Sequence, residues 1–205
     1  MTNKILFLDF DGVLNSTHWA GQRPIRGLLP PELARQALDE ERRDPVCVDR
    51  LQRLVLETGV RIVVTSTWRH KMPVSEMIAM FALYGFIDAP IIGVTPDLRA
   101  VANRTRGIEV AEWLEANESR SISYVCLDDD ADFDGLPLVQ TDPDFGLQAA
   151  DLEACRELLN DRAIEAARAQ DDSSTHEQRA SGEERLFVRP DMLAGARVRH
   201  WSSGK

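Results

Sequence analysis

Residues 4–15 read KILFLDFDGVLN, and this stretch decides the fold. An unbroken apolar run, of the length of one strand buried on both faces, ends in two carboxylates, Asp9 and Asp11, and a glycine follows at once. In open α/β sheets, ligands bind beyond the carboxyl ends of the strands, which is where a strand over residues 4–9 would carry both carboxylates. We therefore predict a functional site at the end of the first strand.

The rest of the chain alternates predicted strands with predicted helices. Further strands are predicted over residues 61–66, 90–94, 122–127 and 136–140, and helices over 31–43, 46–58, 73–84, 108–116 and from Gly146 onward. Because parallel neighbours need crossover connections, this alternation predicts an α/β fold in three layers, with a mostly parallel, Rossmann-like sheet and helices on both faces. The segments 16–44 and 70–104 are too short for a large cap domain.

Changes in composition divide the chain into three parts. We predict one folded domain over residues 1–165, with a small insertion at 16–44, then a flexible polar linker at 166–185 and a C-terminal tail at 186–205. The tail regains Leu, Phe, Val and Trp alongside arginines. We expect it to dock on the domain, on a protein partner or on a second copy of the chain.

Composition and charge argue against several classes of protein. Of the 205 residues 43% are hydrophobic, which is enough for a core, and the formal net charge of −10 repels polyanions unless a local basic patch binds them. The three cysteines are widely spaced and lack metal-ligand spacing, and no apolar run has the length of a membrane span or the flanks of a signal peptide. We expect a cytoplasmic protein that does not bind membranes.

Asp9 and Asp11 suit phosphoryl transfer. Residues two apart on a strand point to the same side, about 6.6 Å apart, so both carboxylates could address one substrate. Asp9 would attack a phosphoryl group, while Asp11 would protonate the leaving oxygen and then activate water. Two other interpretations are a carboxylate pair that only binds metal and an ordinary Asp-Gly turn after a strand.

An acidic run, DDDADFDG at residues 128–135, follows the fourth predicted strand. Clustered carboxylates repel one another unless a cation neutralises them, and hard oxygen ligands beside a phosphoryl group suit Mg²⁺. The run also matches the opening of an EF-hand calcium loop, but Thr141 stands where the bidentate Glu belongs and a strand precedes the loop. A solvated acidic loop is the remaining alternative.

Hydroxyls and arginines supply the candidate phosphate contacts. Ser66 and Thr67 follow the second strand, where they and the N–H groups of the turn can bind phosphate oxygens. A cation must balance the charge that develops on the phosphoryl group. Arg106 is the first candidate and Arg104 the second, with Arg69 as a further phosphate contact.

Over residues 4–160 these pieces resemble, in order, the motifs of the haloacid dehalogenase (HAD) superfamily of phosphohydrolases. DFDGV at 9–13 resembles the first motif, Ser66 the second, Arg106 the third, and the Asp128-Asp129 pair the fourth. The superfamily often has Lys where this chain has Arg106, which keeps the charge but not the compact ammonium. The resemblance implies a HAD-like fold.

The resemblance also implies roles. Asp9 would be the phosphoryl-accepting nucleophile and Asp11 the general acid/base, while Ser66 and Arg106 would bind phosphate. The Mg²⁺ ligands would be Asp9, Asp128, Asp129 and the backbone carbonyl of Asp11. Two alternatives stay open in this assignment, Thr65 in place of Ser66 and Asp132 in place of Asp129.

Finer details resemble a small subgroup of the superfamily. They are DGVLN at 11–15, STWR at 66–69, Arg-Gly at 106–107 and LDDD at 127–130. Members are similar to phosphatase domains found with nucleic-acid end-repair proteins, including polynucleotide 3′-phosphatases. The resemblance implies a Mg²⁺-dependent phosphatase that acts, through an aspartyl-phosphate, on a nucleotide or a nucleic-acid-end phosphate. Alternatives are a phosphatase of small phosphometabolites, a non-catalytic phosphate- or partner-binding module and a phosphorylatable receiver domain.

Overall fold

A five-stranded, entirely parallel sheet forms the centre of the fold. The computed structural model describes residues 3–22, 43–98, 100, 104–117 and 122–160. The strands are β1 (Asn3–Leu8), β2 (Arg61–Val64), β3 (Ile91–Val94), β4 (Ile122–Asp128) and β5 (Leu138–Gln140), in the order β3-β2-β1-β4-β5. The predicted Rossmann-like parallel sheet is confirmed, and β1 lies at its centre.

Helices connect the strands and cover both faces of the sheet. They are α1 (Thr17–Gln22), α2 (Pro45–Thr58), α3 (Val74–Leu83), α4 (Arg106–Ala116) and α5, a helix over residues 149–160, with a 3₁₀ turn at Thr67–His70. The predicted helix at 31–43 lies outside the described residues, apart from Arg43. Helix α1 and the 3₁₀ turn were not predicted, because segments this short carry little periodicity.

Three element boundaries differ from the predicted ones for local reasons. Helix α4 begins earlier, because the Thr105 hydroxyl caps it by accepting from the N–H of Ile108 at 3.2 Å. Strand β5 begins only after Pro137, which has no N–H to give to a ladder. Helix α5 begins after Gly146, whose φ of +64° is incompatible with a helix.

The core consists of two layers, one on each face of the sheet. Ile5 and Phe7 of β1 pack with the buried side of α4, whereas Leu6 and Leu8 pack with α2, α3 and α5. All four side chains are fully buried. This arrangement explains why β1 reads as an unbroken apolar run, since both of its faces are covered by helices.

The parallel ladder extends one residue beyond β1, β2 and β5. Asp9 N–H donates to the carbonyl of Leu127 (3.0 Å), Thr65 N–H to that of Leu8 (2.9 Å) and Thr141 N–H to that of Asp128 (2.9 Å). The residues that follow β1, β2 and β5 therefore meet Asp128, the last residue of β4, at one edge of the sheet, as expected for the functional site of an open α/β fold.

The described residues contain no separate cap domain; the remainder of the predicted insertion, residues 23–42, lies outside them. The predicted linker at 166–185 and tail at 186–205 also lie outside and stay predictions. No helix within the described part of the chain has the length and apolar character needed to cross a membrane.

Candidate active site

Three carboxylates converge at the carboxyl edge of the sheet. Oxygens of Asp9, Asp128 and Asp129 all lie within 4.8 Å of one another. Asp9 and Asp128 are buried, at 3% and 1% exposure, and Asp129 is half-buried. A set of hard oxygen donors at this spacing fits Mg²⁺. Asp132 is not part of this cluster of described acids, so the geometry favours Asp129 over Asp132 as the additional acid of a candidate metal site.

Gly12 makes room for the Asp129 carboxylate. Its φ is +71°, and a Cβ built on it would lie 2.2 Å from the Cγ of Asp129 and 2.5 Å from either carboxylate oxygen. Its carbonyl accepts from the Thr141 hydroxyl at 3.0 Å, which ties the turn after β1 to the residue after β5. The glycine is therefore required both by its backbone conformation and by the close approach of an acidic side chain.

Burial and mutual repulsion disfavour the charged forms of these carboxylates. Burial, with the neighbouring Asp9, raises the pKa of Asp128 to about 8. Burial also raises the pKa of Asp9, although Arg106 and the Ser66 hydroxyl partly offset it, and it raises the pKa of Asp129. A divalent cation would reverse this balance, because it favours the ionised form of every ligand.

Arg106 is the cation that reaches the carboxylates. Its Nη1 donates to Oδ1 of Asp9 at 3.1 Å, to Oδ2 of Asp128 at 3.4 Å and to the carbonyl of Thr65 at 2.9 Å. Arg104, the second candidate, instead donates to Glu109 at 2.7 Å, and its side chain is 34% exposed. Of the two arginines, the structure brings only Arg106 to Asp9.

The residues after β2 form a tight hydroxyl-lined turn. Ser66 is fully buried and begins the 3₁₀ turn, its hydroxyl accepting from the N–H of Trp68 at 3.4 Å. Thr67 is exposed. The Thr65 hydroxyl is buried and has no hydrogen-bond partner. Of the three hydroxyls, that of Ser66 contributes to the environment of Asp9, as its effect on the Asp9 pKa indicates.

Arg69 points into the protein rather than outward. It donates to Oε2 of Glu109 at 2.6 Å and to the carbonyls of Thr65 and Ser66, the latter at 3.0 Å. The side chains of Arg69 and Glu109 are 3% and 0% exposed. The sequence suggested that Arg69 contacts phosphate. In the structure its guanidinium binds the turn that carries Ser66 and connects this turn to helix α4.

Asp11 lies outside the three-carboxylate cluster. Its Oδ1 accepts from the side-chain amide of Asn15 at 2.7 Å and its Oδ2 from the indole N–H of Trp68 at 2.9 Å. The residue is exposed, while the intervening Phe10 is buried in the core. Two donors therefore fix the orientation of a carboxylate that solvent and substrate can reach.

The rest of the acidic run anchors helix α4. The Arg106 N–H donates to Oδ2 of Asp132 at 3.2 Å, the Gly107 N–H to the Asp132 carbonyl at 3.1 Å, and the Thr105 hydroxyl to Asp134. A Cβ on Gly107 would lie 2.7 Å from the backbone of Phe133. Carboxylates at a helix N-terminus stabilise it, so part of this run positions Arg106 instead of binding metal.

The sequence analysis assigned no role in the site to Glu109 or Asn15. Glu109 lies in helix α4, where its residue type predicts a solvated surface, but it is buried between Arg69 and Arg104. In the sequence, the only sign that Glu109 faces the site is its position three residues after Arg106, because residues three apart are neighbours on the surface of a helix.

A family model describing the HAD domain in Swiss Army Knife RNA repair proteins matches residues 5–152, well over half of the chain. Comparisons with curated proteins and with solved structures give no significant match. The matched range includes all five strands except the first two residues of β1, and it includes Asp9, Ser66, Arg106 and the acidic run. The resemblance to the HAD superfamily is thus confirmed, and the chain belongs to the family of HAD domains in Swiss Army Knife RNA repair proteins.

Proposed function

We propose that this protein is a Mg²⁺-dependent phosphatase that acts through an aspartyl-phosphate on Asp9. The observation that carries the proposal is the position of the Asp9 carboxylate between Arg106, at 3.1 Å, and the acids Asp128 and Asp129. A nucleophilic carboxylate for phosphoryl transfer needs cationic partners for the phosphate oxygens, and this edge of the sheet offers an arginine and a site for a cation.

The first half-reaction transfers the phosphoryl group to the protein. An Asp9 oxygen attacks phosphorus, a new O–P bond forms, and the O–P bond to the leaving group breaks. Asp11, in its protonated form, gives its proton to the leaving oxygen. The contacts of Asp11 with Asn15 and Trp68 hold its carboxyl group in one orientation for that transfer.

The second half-reaction releases phosphate. Asp11, now ionised, takes a proton from water as the water oxygen attacks phosphorus, and the O–P bond to Asp9 breaks. Asp9, Asp128, Asp129 and the backbone carbonyl of Asp11 would hold Mg²⁺. When bound, the ion supplies positive charge that offsets the charge on the phosphoryl oxygens.

The phosphate contacts come from both sides of Asp9. The Ser66 hydroxyl, the Thr67 hydroxyl at the start of the turn and the Arg106 guanidinium would bind phosphoryl oxygens. Arg69 would act mainly by holding the Ser66 turn in place, since its guanidinium already donates to two carbonyls of that turn and to Glu109.

The substrate we propose is a nucleotide or a 3′-phosphate at a nucleic-acid end. Membership of a family named for RNA repair proteins supports this class. The net charge of −10 disfavours long polyanions, so the chain would bind one end of a strand rather than its length. We further propose that the 186–205 tail contacts a protein partner or a second copy.

Asp9→Asn tests the chemistry, because it is isosteric but removes the nucleophile. We expect Mg²⁺-dependent hydrolysis of 3′-phosphorylated oligonucleotides to fall to background, and Asp88→Asn, the same change in an exposed loop before β3, to leave it unchanged. Trapping the phosphorylated protein by acid quench would identify the intermediate. Undiminished turnover by Asp9→Asn would refute the mechanism, and equal rates on sugar phosphates would refute the substrate class.

A further inference from the structure

Two aromatic rings lie side by side near the candidate site. The rings of His18 and Phe145 have centroids 5.9 Å apart and planes inclined at 40°. Both residues are exposed, and Phe145 keeps 53% of its surface open to solvent. Neither ring belongs to the core clusters of the described residues, so packing does not account for a large apolar side chain at position 145.

Backbone hydrogen bonds hold the two rings in place. The N–H of Thr17 donates to the carbonyl of Pro143 at 3.0 Å, and that of His18 to the carbonyl of Asp144 at 2.9 Å. The Thr17 hydroxyl donates to the Asp144 carboxylate. Together with these rings, Thr17 and Asp144 line a shallow cavity of about 290 Å³, just below the usual range for small-molecule sites.

The cavity lies within reach of the catalytic edge. Thr141 binds the Asp128 carbonyl with its N–H and the Gly12 carbonyl with its hydroxyl. The next four residues form a turn closed by the Phe145 N–H on the Asp142 carbonyl at 3.0 Å. The ends of such a turn are less than about 7 Å apart, so the Cα of Phe145 lies within roughly 11 Å of that of Thr141. Thr141 itself contacts the turn that carries Gly12, three residues after Asp9, so the two rings and Asp9 lie at the same edge of the sheet.

We propose that His18 and Phe145 form a platform on which the terminal base of the phosphorylated substrate stacks. The inference rests on the proposed function and deepens it, because it assigns the residues that would bind the base next to the scissile phosphate. Every base has a π-face, so stacking on aromatic rings tolerates any sequence. The exposed carboxylates of Asp142 and Asp144 repel further phosphates beside the platform, which favours a terminal base over an internal one.

The test compares substrates with and without a base. We would measure KM and kcat of the wild-type protein, Phe145→Ala and His18→Ala on a nucleoside 3′-monophosphate, a 3′-phosphorylated dinucleotide and a ribose phosphate. For Phe145→Ala we expect KM to rise at least about fivefold on the two base-containing substrates and to stay unchanged on the ribose phosphate. Phe145→Trp should restore the wild-type KM, whereas Leu56→Ala, which shortens an even more exposed apolar side chain near the end of α2, should change nothing.

A binding measurement separates this inference from the chemistry. In the Asp9→Asn background, a 2-aminopurine nucleotide should lose fluorescence on binding if its base stacks, and Phe145→Ala should abolish that loss. A wild-type preference for base-containing substrates that survives Phe145→Ala would overturn the platform while leaving the proposed function intact. Absence of any such preference in the wild type would instead refute the proposed substrate class. Circular dichroism confirms that the variants fold.

Discussion

The carboxylate of Asp129 lies directly over the α-carbon of Gly12, at a position that leaves no room for a side chain. The two residues come from loops after β1 and β4, neighbouring strands that pair in parallel over the length of β1. The metal site that we propose therefore depends on a residue that supplies it with space rather than with a ligand.

Gly12→Ala should weaken Mg²⁺ binding. The new Cβ would fall 2.2 Å from Cγ of Asp129 and displace that carboxylate, so we expect the concentration of Mg²⁺ required for half-maximal activity to rise about tenfold or more. The positive φ adds about 1–2 kcal/mol of destabilisation. Gly85→Ala is the matched control, since Gly85 has a φ of +85° but nothing within 4 Å of its Cβ position. Equal Mg²⁺ requirements in both variants would contradict this role.

Arg106→Ala should reduce kcat by about 10²- to 10³-fold, the usual cost of losing one donor to a developing charge. It also leaves Asp9 and Asp128 without their nearest cation. Arg104→Ala removes a neighbouring arginine that binds Glu109 instead, and we expect a much smaller effect on kcat. Steady-state kinetics at saturating Mg²⁺ compare the two, and a larger loss for Arg104→Ala would reverse the assignment.

Glu109→Gln should destabilise the fold by about 3 kcal/mol, because it leaves the buried Arg69 guanidinium without its counter-charge. Glu112→Gln, an exposed change in the same helix, should stay within about 0.5 kcal/mol of the wild type. Urea unfolding gives both values. We also expect KM for the phosphorylated substrate to rise in Glu109→Gln, since Arg69 holds the Ser66 turn. An unaltered KM would show that Glu109 contributes to the stability of the fold but not to substrate binding.

Trp68→Phe should lower kcat about tenfold with little change in KM, because it removes one of two donors that orient Asp11, a hydrogen bond worth about 1.5 kcal/mol to a charged group. Trp113→Phe is the control, since Trp113 packs against Phe7 on the opposite face of the sheet. The pH profile of kcat should shift for Trp68→Phe alone. If both variants moved KM and left kcat intact, Trp68 would have no part in orienting Asp11.

Metal binding should stabilise the protein more at high pH than at low pH. Because the pKa of Asp128 is raised to about 8, the metal-free folded protein keeps a proton that the unfolded chain loses above about pH 4. Stability without metal therefore falls as the pH rises from about 4 to about 8 and levels off above that, whereas Mg²⁺ favours the ionised carboxylate. The increase in Tm on adding Mg²⁺ should be larger at about pH 8 than at about pH 5.5. Asp128→Asn should remove most of this difference between the two pH values. If the increase in Tm on adding Mg²⁺ to the wild-type protein did not depend on pH, that result would count against the proposed metal site.

Much of the fold is encoded in patterns along the chain. The apolar run of β1, the helical spacing before Gly59 and the β-branched residues of β2 each gave an element close to its observed position, because these patterns report burial and local backbone preference. The motif resemblance added the family, which the comparison with known domains confirmed. The predicted boundaries of α4 and β5 differed more from the observed ones, because each of these depends on a single capping residue or proline.

The sequence by itself therefore determined the strands, the parallel sheet and the set of acids and arginines near its edge. Only the tertiary structure decided which of them meet: Arg106 rather than Arg104 at Asp9, Asp129 rather than Asp132 in the cluster, and Arg69 on Glu109. The reason is physical. Residue type and periodicity indicate which apolar side chains are buried, but a contact between residues 40 or 97 positions apart depends on strand register and helix packing, which no local pattern contains.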